Sequence, residues 1–514
     1  MSKTIIIIGA GLAGLSAALQ AAENGCNVKL VSSLPSERAQ SVMAEGGINA
    51  ALNTKDENDS PEEHFTDTIK AACGLADPNA VWGMTQAAPE LVHWLLKLGV
   101  KFNMSGYDDV DLRNFGGQKK KRTAFAQSDT GKQIMTAMID AVRRKEASGM
   151  VERFSHHSFL TLRLCGNICC GCVIRDEYSQ ETVELPGDAV IVATGGMHGL
   201  FGNTTGSLSN TGEVTAELFR LGVPLANGEM IQYHPTTVKC GGKRMLISEA
   251  ARGEGGRLFA MKDGKQWYFM EEKYPELGNL MPRDITAREI WKVSHESEVF
   301  LDMTEISEEV ISNKLSGLAD DCMTYLHKDI RKEPVPVLPG IHYFMGGILV
   351  DEQHRTPIQN LYAAGECCAQ YHGANRLGGN SLLGALYGGR VAAKSACEQA
   401  DVVDLSCATQ IDFPPASQIS EIKQLNKVMQ ETMGVVRNEN TLLNGIQTVQ
   451  ALTGNLPLLG MAVLKSALAR KESRGAHWRE DYPKSNDDDY LKTTVARFDG
   501  KQIQISFVPV PERR

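Results

Sequence analysis

A chain of 514 residues exceeds what one ordinary hydrophobic core can serve, so two or three domains are expected. Its 42% hydrophobic and 6% aromatic content suits an α/β protein, and a net charge of -9 argues against a nucleic-acid partner. No apolar run approaches the length of a membrane span, so no direct span is expected.

The chain opens directly into a strand without a charged leader, so no export signal is visible. "KTIIIIGAGLAGLSAALQAAENGCNVKLVSS" (3–33) reads as strand, tight turn, helix, strand. Gly9, Gly11 and Gly14 carry the spacing that lets a backbone approach a pyrophosphate and aims a helix N-terminus at it. The acid that grips a ribose about twenty residues on is missing, and Ser32 and Ser33 stand there. That weakens NAD and leaves FAD open. The next loop, "SERAQSVMAEGGINAAL" (36–52), is small, apolar and Gly-paired where a connection should be polar.

"QKKKR" (118–122) reads as a solvated basic loop. "LCGNICCGCVIRDE" holds Cys165, Cys169, Cys170 and Cys172, which could be taken for an iron–sulfur set. The pattern is better read as strand, turn, strand with cysteine replacing Val or Ala, and no metal is expected. The chain's twelve cysteines show no disulfide spacing, and a reducing, cytoplasmic setting fits them.

"DAVIVATGG" (188–196) and "NLYAAGECCA" (360–369) are buried strands running into glycines. The second leads to a helix that begins near Asn380 and Ser381 and ends near 396. Nucleotide-contact segments early, midway and late in one chain suit a long cofactor crossing an interrupted domain, and FAD is such a cofactor. Residues 228–343 change to mixed short elements, as an inserted domain would. From 406 onward the apolar period is helical.

Three polar clusters lie in or beside the insertion. "QYHPTT" (232–237) precedes "LISEAARGEGG" (246–256), where helical spacing puts Glu249 and Arg252 on one face. A surface ion pair worth under ~1 kcal/mol would explain those two as well. "MPRDITAREI" (281–290) places Arg283 at a helix start, where it could be a capping-turn residue. "PGIHYFMGGI" (339–348) and "YHGANRLGGNS" (371–381) bring His342, His372 and Arg376 among glycines. An arginine in a neutral, Gly-rich stretch is suited to bidentate carboxylate binding.

GAGLAG, "AEGGINAAL", "FGGQKKKRT…SDTG", "ATGG", "NTGE", "QYHPT", "SEAARGEGG", "PRD", "HYFMGGI", "LYAAGE", "HGANRLGGNSL" and "ESRGAHWREDYP" resemble, in order, the flavoprotein subunit of fumarate reductase and succinate dehydrogenase. The resemblance covers the chain to about residue 495 and implies an α/β fold. A Rossmann-like FAD-binding domain (1–227 and 344–405) is interrupted by an α+β capping domain (228–343), and a C-terminal helical domain (406–514) follows.

It further implies a C4-dicarboxylate held by His234, Ser248, His342 and Arg376, with Phe115 lining the pocket. In fumarate reduction a hydride passes from flavin N5 to one alkene carbon. Arg283 protonates the other carbon and is resupplied through Glu249 and Arg252. FAD contacts are implied for Gly9, Gly11, Ala13, Gly14 and Ser32, and for Ala44, Glu45, Gly46 and Gly47 of the loop. Thr194, Gly195, Glu213, Glu366, Ser381 and Leu382 complete them. Ser248 stands for the family's usual Thr, and Glu213 for its usual Asp.

Membrane-bound members place a flavin-linking histidine where this chain has Gln40, so the FAD is expected to be non-covalent. An iron–sulfur electron-transfer subunit is the implied partner, and it would bring the chain to the inner face of a membrane. The chain stops soon after "ESRGAHWREDYP", whereas many members of membrane complexes continue.

L-aspartate oxidase shares the fold and the carboxylate clamp, but it must also pair an ammonium, and no acid lies between Phe115 and Phe125. A succinate dehydrogenase subunit is the other alternative within the family. A flavoprotein that only passes electrons would lack the set Arg283, Arg376, His234 and His342.

Overall fold

The computed structural model describes residues 2–106, 109–400, 411, 413 and 419–514. Four consecutive isoleucines make β1 (Thr4–Ile8) apolar on both faces, as a central parallel strand must be. Each buried isoleucine contributes roughly 1.5–3 kcal/mol. The turn at Gly9 takes φ +110°, and a Cβ there would stand 2.3 Å from the Ala193 carbonyl oxygen, so only glycine fits. The chain then enters α1 (Leu12–Glu23), whose alanines let it lie flat on the sheet, and returns as β2 (Asn27–Ser32). β3 (Val151–Ser155) and β4 (Ala189–Val192) follow much later in the chain.

The insertion supplies β5 (Ile231–Cys240), β6 (Lys243–Leu246), α2 (Glu249–Gly253), α3 (Arg283–Val293) and β7 (Leu338–Phe344). β6, β5 and β7 form an antiparallel sheet. Residues between 238 and 337 enclose their own apolar core, to which Phe115 is the one outside contributor among the described residues. The chain returns as β8 (Leu361–Ala363) and α4 (Asn380–Gln399). The main sheet runs β8-β4-β1-β2-β3 with every neighbouring pair parallel. α1 and α4 pack together, with the Ser16 hydroxyl donating to the Leu386 carbonyl at 2.7 Å.

α5 (Ile419–Thr432), α6 (Glu439–Val449) and α7 (Asn455–Ala469) realise the helical period of the C-terminal segment. Beyond them the chain ends in a hairpin, β9 (Lys492–Phe498) and β10 (Ile503–Pro509). β9 pairs with Leu225–Ala226, which pairs in turn with Gly347–Leu349. The last strands thus brace the two crossings into and out of the insertion.

The basic run at 118–122 is solvated at its lysines, as its composition suggests, but not at its two ends. Arg122 is fully buried and bridges Asp59 and Asp67, each at 2.9 Å, and Gln118 is buried on Asn49. The counter-charges come from a distant segment, so composition could not reveal them. "LCGNICCGCVIRDE" is the expected hairpin, His157–Cys165 against Ile168–Asp176. No group of residues able to hold a metal occurs among the described residues, and Cys165 is disulfide-bonded, an exception to the expectation of free thiols throughout.

Candidate active site

A large cavity of about 550 Å³ runs from the β1–α1 turn, past the loop after β2, to the underside of the insertion. One end is built for a phosphate-bearing ligand. The N-cap of α1 is Gly11 and that of α4 is Gly379, and neither helix has a side-chain cap. Gly11, Leu12, Gly379, Ser381 and Leu382 all line the cavity. The first N–H of each is taken, Leu12 by the Ser41 hydroxyl and Asn380 by the Leu377 carbonyl, each at 3.2 Å, and the rest of each first turn presents its N–H groups and positive dipole end to whatever lies between them. Ser32, Thr194, Gly195, Glu213 and Glu366 line the same wall, as do Gly9 and Ala13. Gly14 does not reach the cavity; a Cβ there would stand 1.8 Å from the Gly9 carbonyl oxygen, so it seats the helix against the turn. Burial raises the Glu213 carboxyl above its ordinary value. These features fit FAD.

Ala44, Glu45, Gly46 and Gly47 line the middle of the cavity. The clearance at the glycines is also demanded by the protein itself. A Cβ on Gly46 would meet the Phe115 ring at 2.8 Å, and one on Gly47 would meet the Ala124 carbonyl oxygen at 2.5 Å. Burial pushes the Glu45 carboxyl up to about 8, helped by Asp321 and Asp129 and opposed by Arg113. Gln40 also lines the cavity, and its Oε1 accepts the Ser207 N–H at 2.5 Å.

The far end gathers cations. Arg283 opens α3 and donates from Nε (2.8 Å) and Nη2 (2.6 Å) to Glu249 Oε2. Its Nη1 donates to Gln232 Oε1 at 3.1 Å. Arg252, one turn along α2 from Glu249, approaches Oε1 at 3.3 Å and donates to the Asn279 carbonyl at 2.6 Å. The Gly116 N–H also donates to Oε1, at 3.1 Å. Burial alone would raise the Glu249 carboxyl, but Arg283 and Arg252 outweigh it and hold the group below its ordinary value. Arg252 lies behind Glu249 and does not line the cavity, whereas Glu249 and Arg283 do.

Arg376 is buried beneath the same end and stacks on Tyr343 at 4.3 Å. Its Nε has no partner, and it makes no ion pair among the described residues. Burial and the neighbouring Arg283 push it down to about 9. His234 and His342 meet edge to face at 5.1 Å. Burial, then Arg283, holds both imidazoles well below their ordinary value, so both are neutral. His342 Nδ1 pairs with the Thr205 hydroxyl at 2.8 Å, and His234 Nδ1 is taken up by Thr236. Ser248 caps α2 and, with Phe115, faces the cavity. His372 is buried against Tyr343 and stays off the wall.

Arg252, Arg283 and Arg376 outnumber Glu249 by two, and Arg244 on the wall, bonded only to neutral oxygens, adds to the surplus, so this end favours an anionic ligand. Sequence reasoning passed over Thr205, Gln232, Tyr343, Arg244 and Asp321. Gln232 and Tyr343 sit inside motifs already singled out. Nothing local marks Thr205, Arg244 or Asp321, which come to the wall only through the fold.

A family model described as "FAD binding domain" matches residues 4–382, and one described as "Fumarate reductase flavoprotein C-term" matches residues 452–513. The succinate dehydrogenase flavoprotein subunit of Bacillus subtilis is 38% identical over 576 aligned positions, covering 100% of this chain and 98% of that protein. The 8-methylmenaquinol:fumarate reductase flavoprotein subunit of Wolinella succinogenes is 32% identical, covering 100% and 92%. Among solved structures, a point mutant of Escherichia coli quinol fumarate reductase FrdA superposes with a TM-score of 0.89 at 27% identity, covering 99% of this chain and 97% of that one. By its cavity, its sheet and these matches, the chain belongs to the succinate dehydrogenase/fumarate reductase flavoprotein family and is an FAD-binding oxidoreductase.

Proposed function

We propose that this flavoenzyme reduces fumarate to succinate, with Arg283 as the proton donor. The observation that carries this is the buried line Arg252–Glu249–Arg283, which ends on the cavity wall beside the unpaired Arg376. Bound in the cavity, FAD supplies the hydride. His234, Ser248, His342 and Arg376 hold the two carboxylates, with bidentate Arg376 and the neutral histidines on the same one. Clamped so, the substrate is fixed in near-attack geometry and one alkene carbon is left electron-poor.

Arg283 then gives a proton to the second carbon. A guanidinium in water never does this. Here Arg252 and Arg376 crowd it with positive charge in a dry site, and Glu249 stands ready to return a proton through its shared oxygen. Gln40 has no nucleophilic nitrogen to bond the cofactor, so the FAD is held by contacts alone. A free cofactor has a lower potential than a tethered one, which favours fumarate reduction.

The same residues serve succinate oxidation in reverse, and the Bacillus subtilis relative is named for that direction. An aminodicarboxylate fits less well, because its ammonium would enter a cation-rich end with no acid between Phe115 and Phe125. The relatives are named as subunits, which supports an iron–sulfur partner protein that feeds electrons in. No helix among the described residues is long and apolar enough to cross a membrane. Anaerobic photoreduction followed by fumarate tests the reading: the flavin should reoxidise. Peroxide formation from L-aspartate in air, with no response to fumarate, would replace it with an oxidase.

A further inference from the structure

α1 and α4 are the two helices whose N-termini frame the cofactor cavity, and they also come together at their far ends. There Cys26, just after α1, faces Cys397, in the last turn of α4, with Sγ atoms 2.9 Å apart. That is about 0.9 Å longer than a disulfide bond and well inside ordinary sulfur–sulfur contact, so a small adjustment would close it. Cys26 is buried and Cys397 is partly exposed, which gives solutes access to one sulfur only. The Lys3 ammonium donates to the Cys397 carbonyl at 2.7 Å and stands beside the thiols. Along their length the two helices pack backbone to backbone, with Gly389 against the Ala13 carbonyl, and their polar cross-links include the Ser16–Leu386 hydrogen bond and a 3.8 Å ion pair between Glu23 and Arg390.

We propose that Cys26 and Cys397 are a reversible dithiol–disulfide site which, when oxidised, clamps α1 to α4 behind the cofactor. The oxidant class is a peroxide. Cys397 is reached first: its sulfur takes one oxygen from hydrogen peroxide, giving a sulfenic acid and one water. The Cys26 sulfur then attacks that sulfur, the S–S bond forms, the S–O bond breaks, and hydroxide leaves as water with the Cys26 proton. Two electrons pass from the two sulfurs to the peroxide, and a dithiol reductant reverses the change. Burial and the adjoining Cys26 push the Cys397 thiol up, which keeps its reactive thiolate scarce and slows the first step. Once closed, the bond spans residues 371 apart in sequence, and its main effect is to restrict the unfolded chain and keep the helix pair together.

The test uses the holoenzyme, reduced with dithiothreitol and then treated with hydrogen peroxide. Peptide mapping without reductant should link the peptides carrying Cys26 and Cys397, with a loss of two titratable thiols. The oxidised protein should melt roughly 3–5 °C higher and release FAD more slowly, and dithiothreitol should restore both values. Cys26→Ser and Cys397→Ser should each remove the linked peptide while the reduced enzymes turn over as the parent does. Recovery of Cys397 as a sulfinic acid with Cys26 still free would overturn the pairing. A linked pair with unchanged melting and FAD release would overturn the clamp. Both readouts on the parent protein stand even if a variant misfolds.

Discussion

Arg283 and Glu249 meet through one oxygen: Nε and Nη2 of the arginine both donate to Oε2, at 2.8 and 2.6 Å, and both side chains are buried. The other carboxylate oxygen is left to Arg252 and the Gly116 N–H. One buried carboxylate thus links two arginines, and the outer one faces the cavity. Such a bridge contributes little net stability, since desolvating three charges offsets much of their attraction. It is well arranged for passing a proton.

Arg283→Ala should therefore lower kcat by about 10²–10⁴-fold while the dicarboxylate still binds, less tightly because one positive charge is gone. Stopped-flow reoxidation of the reduced flavin by fumarate, alongside succinate titration, separates the two quantities. Near-parental turnover would remove Arg283 from the proton-donor role.

Arg376→Met removes a buried charge that has no carboxylate partner. Dicarboxylate binding should weaken by about 2–5 kcal/mol, while FAD stays bound. Without ligand the variant should also melt higher than the parent, because an uncompensated guanidinium has been replaced by an apolar chain. Unchanged succinate affinity would show that the anchor lies elsewhere.

Acid precipitation should leave the yellow cofactor in the supernatant, since the amide of Gln40 is not nucleophilic enough to be alkylated by the flavin and its oxygen is tied to the Ser207 N–H. A yellow pellet that survives denaturing electrophoresis would mean a covalent link through another residue.

Glu45 predicts a pH dependence of the cofactor-free protein. Its folded value of about 8 lies above the ordinary 4.5, because burial and then Asp321 and Asp129 disfavour the charged form. Its contribution to stability is therefore fully present below pH 4.5 and is lost as pH rises to about 8, by an amount on the order of 5 kcal/mol. Urea midpoints of the apoprotein at about pH 5.5 and 8.5 should differ less in Glu45→Gln than in the parent. An equal pH slope in the two proteins would contradict the assignment.

The sequence by itself determined what is local. The spacing Gly9, Gly11, Gly14 between an apolar strand and an Ala-rich helix is read within one turn of chain, and β1, α1 and β2 fall where it puts them. The starts of α3 at Arg283 and α4 at Asn380 were legible for the same reason, and the ordered motifs supplied the family.

Charge pairing was not legible from local spacing. Arg122 looked solvated because Asp59 and Asp67 are remote in sequence; for Glu249 and Arg252 the spacing alone was equally explained by a surface pair, and only the family resemblance tied them to Arg283, which the fold brings over from another helix. Thr205, Arg244 and Asp321 reach the cavity from segments with no motif at all. Sequence periodicity records which face of an element is apolar. Which charges lose their water, and which of them then find a partner, is decided only when distant segments pack together, because desolvation depends on everything that surrounds a group.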